Sequence, residues 1–398
     1  MYKTLSFGSN EISLERLSNV ERLFSLSISC NSHDFASEIK SLYLEVGDDV
    51  FWKFSNNEKS ASIASKTLQK VFDKNKINEK WIDISLLLEK RISLYMNELD
   101  KIAEIFDKKN IKVIALKNSG IARGIFKDYS SSPMGDIDLL VKKSDFFDAH
   151  NELIKAGYLF SDRSPFEIKN INQAYMHGGS EYCCQLSNGE KLWIELQFRS
   201  VAGRWIQPSQ EPTAENLFKR AIPIDGSLCK ILSPEDNLLQ VCLHTAKHSF
   251  VRSPGFRLHT DVDRIVTFND IKWNDFCNKV EKLHVKTPIY IALLLAKNLL
   301  RTNIPDRIME RLNFSPTKHL LIQYWLVRVG LFSPEAKKWN KFGYILFNII
   351  LFDSFKDFFK AIFPQKRTII KNHSKNKFVF LIYIKRIFDL IFKRSNNI

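Results

Sequence analysis

Apolar residues recur at three- and four-residue steps through Ile92, Tyr95, Leu99, Ile102 and Phe106, the period that lines one face of an α-helix. The spacing predicts a packing helix over residues 88–108, and the first hundred residues as a whole read as helical. At Lys112 the pattern changes. Val113-Ile114-Ala115-Leu116 is a short apolar run of strand type, and Lys117-Asn118-Ser119-Gly120 after it turns the chain and opens a short helix. A polar loop, Asp128–Pro133, leads into a second strand, Met134-Gly135-Asp136-Ile137-Asp138-Leu139-Leu140-Val141. A helix follows from Ser144, an N-cap, to Gly157, a stop. The repeated strand–helix pattern is an α/β unit.

From Gln173 to Ser200 two strand-like runs flank Ser187-Asn188-Gly189-Glu190, and Asn-Gly is a strong hairpin signal. The second run alternates: Ile194, Leu196 and Phe198 point one way, Trp193, Glu195 and Gln197 the other. Ser233-Pro234-Glu235-Asp236 starts a helix, with Pro at its first position and acids in its first turn. Helical pattern continues to about residue 330. The predicted fold is α+β: a small mixed-sheet palm flanked by helical regions. Its divisions are an N-terminal helical region (1–108), the palm (109–225), a helical domain (226–335) and basic amphipathic C-terminal helices (336–398).

Composition narrows the class. The 398 residues are 44% apolar and 26% charged, with 31 Phe and only 14 Gly, a chain with a real core and a helical bias. Six scattered cysteines form no C-x-x-C pair, and the opening MYKTLSFGSNEISLERL has no apolar signal region. Both predict free thiols in a reducing cytoplasm. The longest apolar run, Phe342–Phe352, is too short to cross a bilayer. The net charge of +15 is concentrated late: from Lys337 onward there are 14 Lys and Arg against three Asp. The body is therefore only mildly basic, which argues against nucleic acid as a partner. For the tail, the plain reading is helices packed on the body; the functional one is a peripheral contact with an anionic membrane, at the inner membrane surface.

The chemistry concentrates at Asp136, Asp138 and Glu195. Residues i and i+2 of a strand share a face, so the two aspartates stand side by side and repel unless a cation lies between them. Oxygen-only ligands suit Mg²⁺ or Mn²⁺. Glu195, on the polar face of a later strand, is the third candidate ligand. Three such carboxylates can hold two metal ions, one activating an attacking hydroxyl and one bridging a triphosphate. The turn with Lys117 and Ser119 would put backbone N–H groups where phosphates sit.

With these residues in view, Leu116-Lys117-Asn118-Ser119-Gly120, Gly135-Asp136-Ile137-Asp138-Leu139-Leu140-Val141 and Ile194-Glu195-Leu196 resemble the polymerase-beta-type nucleotidyltransferase superfamily. The closest likeness is to its poorly characterised bacterial nucleotidyltransferase family. Downstream, Leu232–Asp236, Leu243–His248, Arg257-Leu258 with Asp263, and Ile271-Lys272-Trp273 resemble its helical region. The resemblance implies two-metal transfer of a nucleotidyl group from an NTP to an acceptor hydroxyl on a small molecule, sugar or protein, with pyrophosphate release. It also implies a link to surface-polysaccharide or peptide-product pathways. Asp136, Asp138 and Glu195 would be catalytic and metal-binding; Lys117, Asn118, Ser119, Gly120 and Ser132 would face the nucleotide. Three positions depart from the pattern: Asn118 replaces a usual Gly, Ser132 a frequent Arg, and Gln197 a common His. An alternative is a degenerate nucleotide- or glycan-binding module on the same fold; a polynucleotide-modifying enzyme recruited by the tail is a third.

Two further groups compete for attention. Asp261-Val262-Asp263 repeats the Asp-x-Asp pattern, but on a helix, where the two diverge; a salt bridge or surface role is the expectation. His244 and His248 stand one helical turn apart without the Glu of a zinc protease, and read as a buried or substrate-facing pair.

Overall fold

The computed structural model describes residues 12–72, 76–161, 170–201 and 206–362. The chain begins with helices α1 (Asn19–Ile28), α2 (Ala36–Val46), α3 (Asp48–Asn57), α4 (Ala61–Val71) and the long α5 (Glu79–Asp107). The palm follows: β1 (Ile114–Leu116), a single turn α6 (Lys117–Gly120), β2 (Asp136–Leu140), α7 (Phe146–Lys155), β3 (Leu159–Phe160), α8 (Ile171–His177), β4 (Gly179–Gln185), β5 (Lys191–Gln197), α9 (Ala214–Arg220), β6 (Ile222–Pro223) and β7 (Lys230–Ile231). Helices α10 (Pro234–Lys247), α11 (Leu258–Phe268), α12 (Trp273–Lys282), α13 (Lys286–Leu300), α14 (Asp306–Leu312), α15 (Pro316–Val329), α16 (Lys341–Ile350) and α17 (Phe355–Ile362) complete it.

Among the described residues seven strands form one mixed sheet, ordered β3-β4-β5-β2-β1-β7-β6. Its centre sets up the chemistry. Strand β2 pairs antiparallel with β1 and parallel with β5. The β4–β5 hairpin turns at Ser187–Gly189, where Asn188 Oδ1 accepts the Glu190 N–H at 3.0 Å and Gly189 takes φ +82°. Alternation then sorts the side chains. Ile137, Leu139, Val141, Ile194 and Leu196 enter a core shared with Tyr95, Leu99, Ile102 and Phe106 of α5 and Phe146 of α7. Ile114, Leu116 and Leu140 pack on the other face against Leu217 and Phe218 of α9. The acidic residues of β2 and β5 share that second face.

The N-terminal helices and those after β7 share a core. Leu23, Phe24, Phe51 and Leu68 belong to the same buried cluster as Leu239, Val262, Ile289 and Leu293. Phe24 is central, with ring centroids 5.3 Å from Phe54 and 5.9 Å from Phe332. Beyond α15, α16 carries the apolar run of the tail and seats Phe347 against Trp339 at 4.5 Å. Among the described residues no helix is long and apolar enough to cross a membrane. The membrane-contact reading of the tail falls mostly on residues 363–398, outside the described residues.

Two local expectations change. Gln173–His177 is helix rather than strand: Asn170 Oδ1 accepts the Gln173 N–H at 3.0 Å, and Gly178 at φ +95° ends the helix. Ala174, buried on the palm core, decides the periodicity. The helix expected from Ser144 begins at Phe146 with Asp145 as its cap. The six cysteines are all free thiols.

Glu58 closes α3 in an unfavourable place for a carboxylate, at a helix C-terminus. It is 1% exposed, its Oε1 accepts the Ser333 N–H, and its Oε2 has no hydrogen-bond partner among the described residues. Burial pushes its pKa up from 4.5 to about 7, against the Ser333 hydrogen bond and Lys338. The folded pKa exceeds the unfolded one, so the penalty is full above pH 7 and fades as pH falls towards 4.5. Glu58→Gln is therefore expected to stabilise the chain by on the order of 3 kcal/mol at pH 8 and by little near pH 4.5. Denaturant unfolding of both proteins at the two pH values checks this; an equal difference at both would contradict it.

Candidate active site

The site is built where β1 stops short. The register pairs Leu116 with Asp138, and beyond it the chain of β1 turns away into α6. Ser119 takes over: its Oγ accepts the Asp138 N–H at 3.0 Å. A hydroxyl on the turn thus satisfies a backbone donor that a longer β1 would have paired. Gly120 permits this tight packing, because a Cβ there would collide with the Ala115 carbonyl. The helical path continues past α6 as a π turn, Ile121–Ile125.

The parallel register places Asp138 opposite Glu195 and Asp136 opposite Trp193. Neighbouring strands lie roughly 4.8 Å apart, so two carboxylates meet on one face. Lys117 stands between them: its Nζ is 2.5 Å from Asp138 Oδ1 and 3.2 Å from Glu195 Oε2. It is the first residue of α6 and takes φ +50°, a left-handed conformation that costs a non-glycine residue roughly 1–2 kcal/mol. Gln197 Nε2 also donates to Asp138 Oδ1 at 3.1 Å, and Gln197 Oε1 is buried without a partner among the described residues.

Charge follows geometry. Burial disfavours the Lys117 ammonium, but Asp138, Glu195 and Asp136 together push its pKa above the ordinary lysine value. Burial raises Asp138, with the Lys117 charge opposing it. Glu195 is buried too, yet Lys117 and then Lys247 hold it below the usual carboxylate range. The side chain of Glu195 is 22% exposed against 5% for Asp138. Glu195 is the more exposed of the two.

Helices α10 and α11 bring basic groups to the same place. Burial depresses the Lys247 pKa while the Glu195 field raises it, and Lys247 Nζ donates to the Val201 carbonyl at 3.3 Å. His244 sits one turn earlier; burial and then the charge of Lys117 hold it well below its ordinary pKa, so it is neutral at pH 7. His248 packs edge-on to it at 4.9 Å, and its Nδ1 lies 2.7 Å from the Ser253 carbonyl. Arg257 donates to the Pro133 carbonyl, and Arg264 to the Ser131 carbonyl at 2.5 Å. With its amide turned to suit both neighbours, Asn118 donates to Asp261 Oδ1 at 2.7 Å and accepts from Arg257 at 3.0 Å. Two arginines and one amide thus tie the turn and the loop before β2 to α11.

Several expectations change with this geometry. Asp261 and Asp263 are not surface residues. Asp261 lies between Arg257 and Arg264, and burial lifts its pKa to about 6 against both. Asp263 accepts from the Cys30 N–H and the Thr302 hydroxyl, each at 2.7 Å, joining three separate segments. Ser132 is buried, and its hydroxyl donates to the Asp128 carbonyl at 2.8 Å. Lys117 lies against the carboxylates of Asp138 and Glu195.

The expected Mg²⁺ or Mn²⁺ pair fits the donor set in kind but not in place. An ion shared by Asp138 and Glu195 would occupy the position of the Lys117 ammonium. Among the described residues no three His, Cys, Asp or Glu side chains are grouped to hold a metal ion.

The model of a family described as uncharacterised nucleotidyltransferase matches residues 45–301. The chain belongs to that family. The match runs from α2 to the end of α13, so it takes in the carboxylates, the turn and the α10–α11 roof. It supports nucleotidyl transfer as the general activity and a nucleotide as substrate. No curated protein matches the chain.

In this nucleotidyltransferase, the roles of Lys247, Arg257 and Arg264 were not legible as site roles. A signal for Lys247 did exist: it follows His244 by three positions, which puts both on one helical face. The arginines left no such mark. Their partners are backbone carbonyls of a loop more than a hundred residues earlier.

Proposed function

We propose that the chain transfers a nucleotidyl group from an NTP to the hydroxyl of a small-molecule, sugar or protein acceptor and releases pyrophosphate. The observation that carries this reading is the in-register pairing of Asp138 with Glu195, with Asp136 on the same face; the charges of Lys247 and Arg257 act on these carboxylates. A carboxylate cluster with cations in electrostatic reach suits a reaction joining a hydroxyl to a polyphosphate. The triphosphate would lie on the α10–α11 side, its charge met by Lys247 and Arg257. Glu195, the more exposed of the pair, would orient the acceptor hydroxyl and take its proton as the new P–O bond forms and the bond to pyrophosphate breaks. Neutral His244 would donate a hydrogen bond without adding charge. A requirement for Mg²⁺ or Mn²⁺ belongs to this reading as an ion brought in on the triphosphate.

The test is pyrophosphate release by the full chain from each of four NTPs, with Mg²⁺ or Mn²⁺, in the presence of a mixture of hydroxylated acceptors. Release with at least one NTP supports the reading; none under any combination ends it. A second reading, nucleotide binding without turnover, is favoured by the internal engagement of Lys117 and Ser132. Calorimetric NTP binding with no pyrophosphate release would select it.

A further inference from the structure

A carboxylate pair on adjacent strands needs a cation, and this chain supplies one. Asp138 and Glu195 face each other across the β2–β5 register, and the Lys117 ammonium lies within 3.2 Å of both. It is not a surface lysine caught in passing. Lys117 is 7% exposed and its backbone is held at φ +50° between β1 and α6. The same turn is fixed on either side, by the Ser119 hydroxyl on Asp138 N–H and by Gly120 against Ala115. Swinging the ammonium out would leave Asp138 buried with the Gln197 amide as its side-chain donor among the described residues. Such an uncompensated buried charge is strongly disfavoured.

We infer that Lys117 is the resident cation of the site: its ammonium fills the place a divalent ion would share between Asp138 and Glu195, and excludes one from it. One of the two positive charges of a two-metal arrangement is thus part of the polypeptide. A divalent ion shared by the same two carboxylates would have to lie where the ammonium lies, so the two compete for one position. The inference rests on the carboxylate cluster being the reactive centre, but its test needs no turnover. A chain inert towards every NTP would end the functional reading and leave the cation measurement standing.

The experiment is Mn²⁺ binding to the full chain without nucleotide, read from loss of the free-ion electron paramagnetic resonance signal. Wild type, Lys117→Met and Lys117→Met/Glu195→Gln are compared. Methionine keeps the length of the side chain and removes its charge. The expected result is a Mn²⁺ site in Lys117→Met at least tenfold tighter than any in wild type, and lost in the double variant. Lys117→Met should also melt at a lower temperature in chelator and recover on adding Mn²⁺, while the wild-type melting temperature stays unchanged. Should Lys117→Met fail to fold, the wild type and Glu195→Gln decide the matter. Equal Mn²⁺ binding by those two supports the inference. A wild-type Mn²⁺ site that Glu195→Gln abolishes overturns it, as does a folded Lys117→Met that gains no site.

Discussion

Replacing Asp136 and Asp138 together by Asn lowers NTP turnover, read as pyrophosphate release, by at least about a thousandfold, a loss of roughly 4 kcal/mol of transition-state stabilisation. Asparagine keeps the shape of each side chain and removes its charge. The residues stand on one face of β2, and Asp138 lies opposite Glu195. Without them Glu195 is the carboxylate left facing Lys117, and the negative field proposed to orient an acceptor hydroxyl is weakened. The change also loosens Lys117, whose shortest contact is with Asp138, so circular dichroism and melting must show a folded chain before the loss is assigned to chemistry. Turnover within tenfold of wild type in a folded double variant would remove the carboxylates from the mechanism.

Arg257→Ala has the second largest effect and a different signature. The guanidinium holds the Pro133 carbonyl and the Asn118 amide, and its charge reaches both Asp261 and Asp136. Removing it takes a cation from the proposed triphosphate side and unties the loop that leads into β2. We expect the KM for NTP to rise at least about tenfold, near 1.4 kcal/mol of lost binding, with a smaller fall in kcat. Arg257→Lys should recover little, because an ammonium cannot make the forked contacts of a guanidinium. Steady-state kinetics of the three proteins decides this. An unchanged KM in Arg257→Ala would place the phosphates elsewhere.

What was legible in the sequence was what local periodicity and chain direction determine. Alternation along β2 and β5 identified which residues face the core and which share the polar face, and Asn-Gly located the hairpin. The adjacency of Asp138 and Glu195, by contrast, depends on a parallel pairing of residues 57 positions apart, which no local pattern encodes. Lys117 was visible as a turn residue, but its direction follows from a positive φ, and lysine gives no cue for that. The stretch before β4 misled because Gln173–His177 is short enough to fit either period; Asn170 and Gly178 settle it as a helix. Asp261 and Asp263 misled in another way. Acidic residues on a helix ordinarily face solvent, but Asp261 is flanked by arginines one turn away on its own helix, and Asp263 is met by a threonine and a backbone N–H from distant segments.

The most direct test of the central claim is a crystal structure of the full chain with a non-hydrolysable NTP. The account predicts the triphosphate between the β2–β5 carboxylates and the α10–α11 helices, within hydrogen-bond reach of Lys247 and Arg257, with the α-phosphate nearest Glu195. A nucleotide bound away from that face, or bound there with its base rather than its phosphates against Arg257, would contradict it.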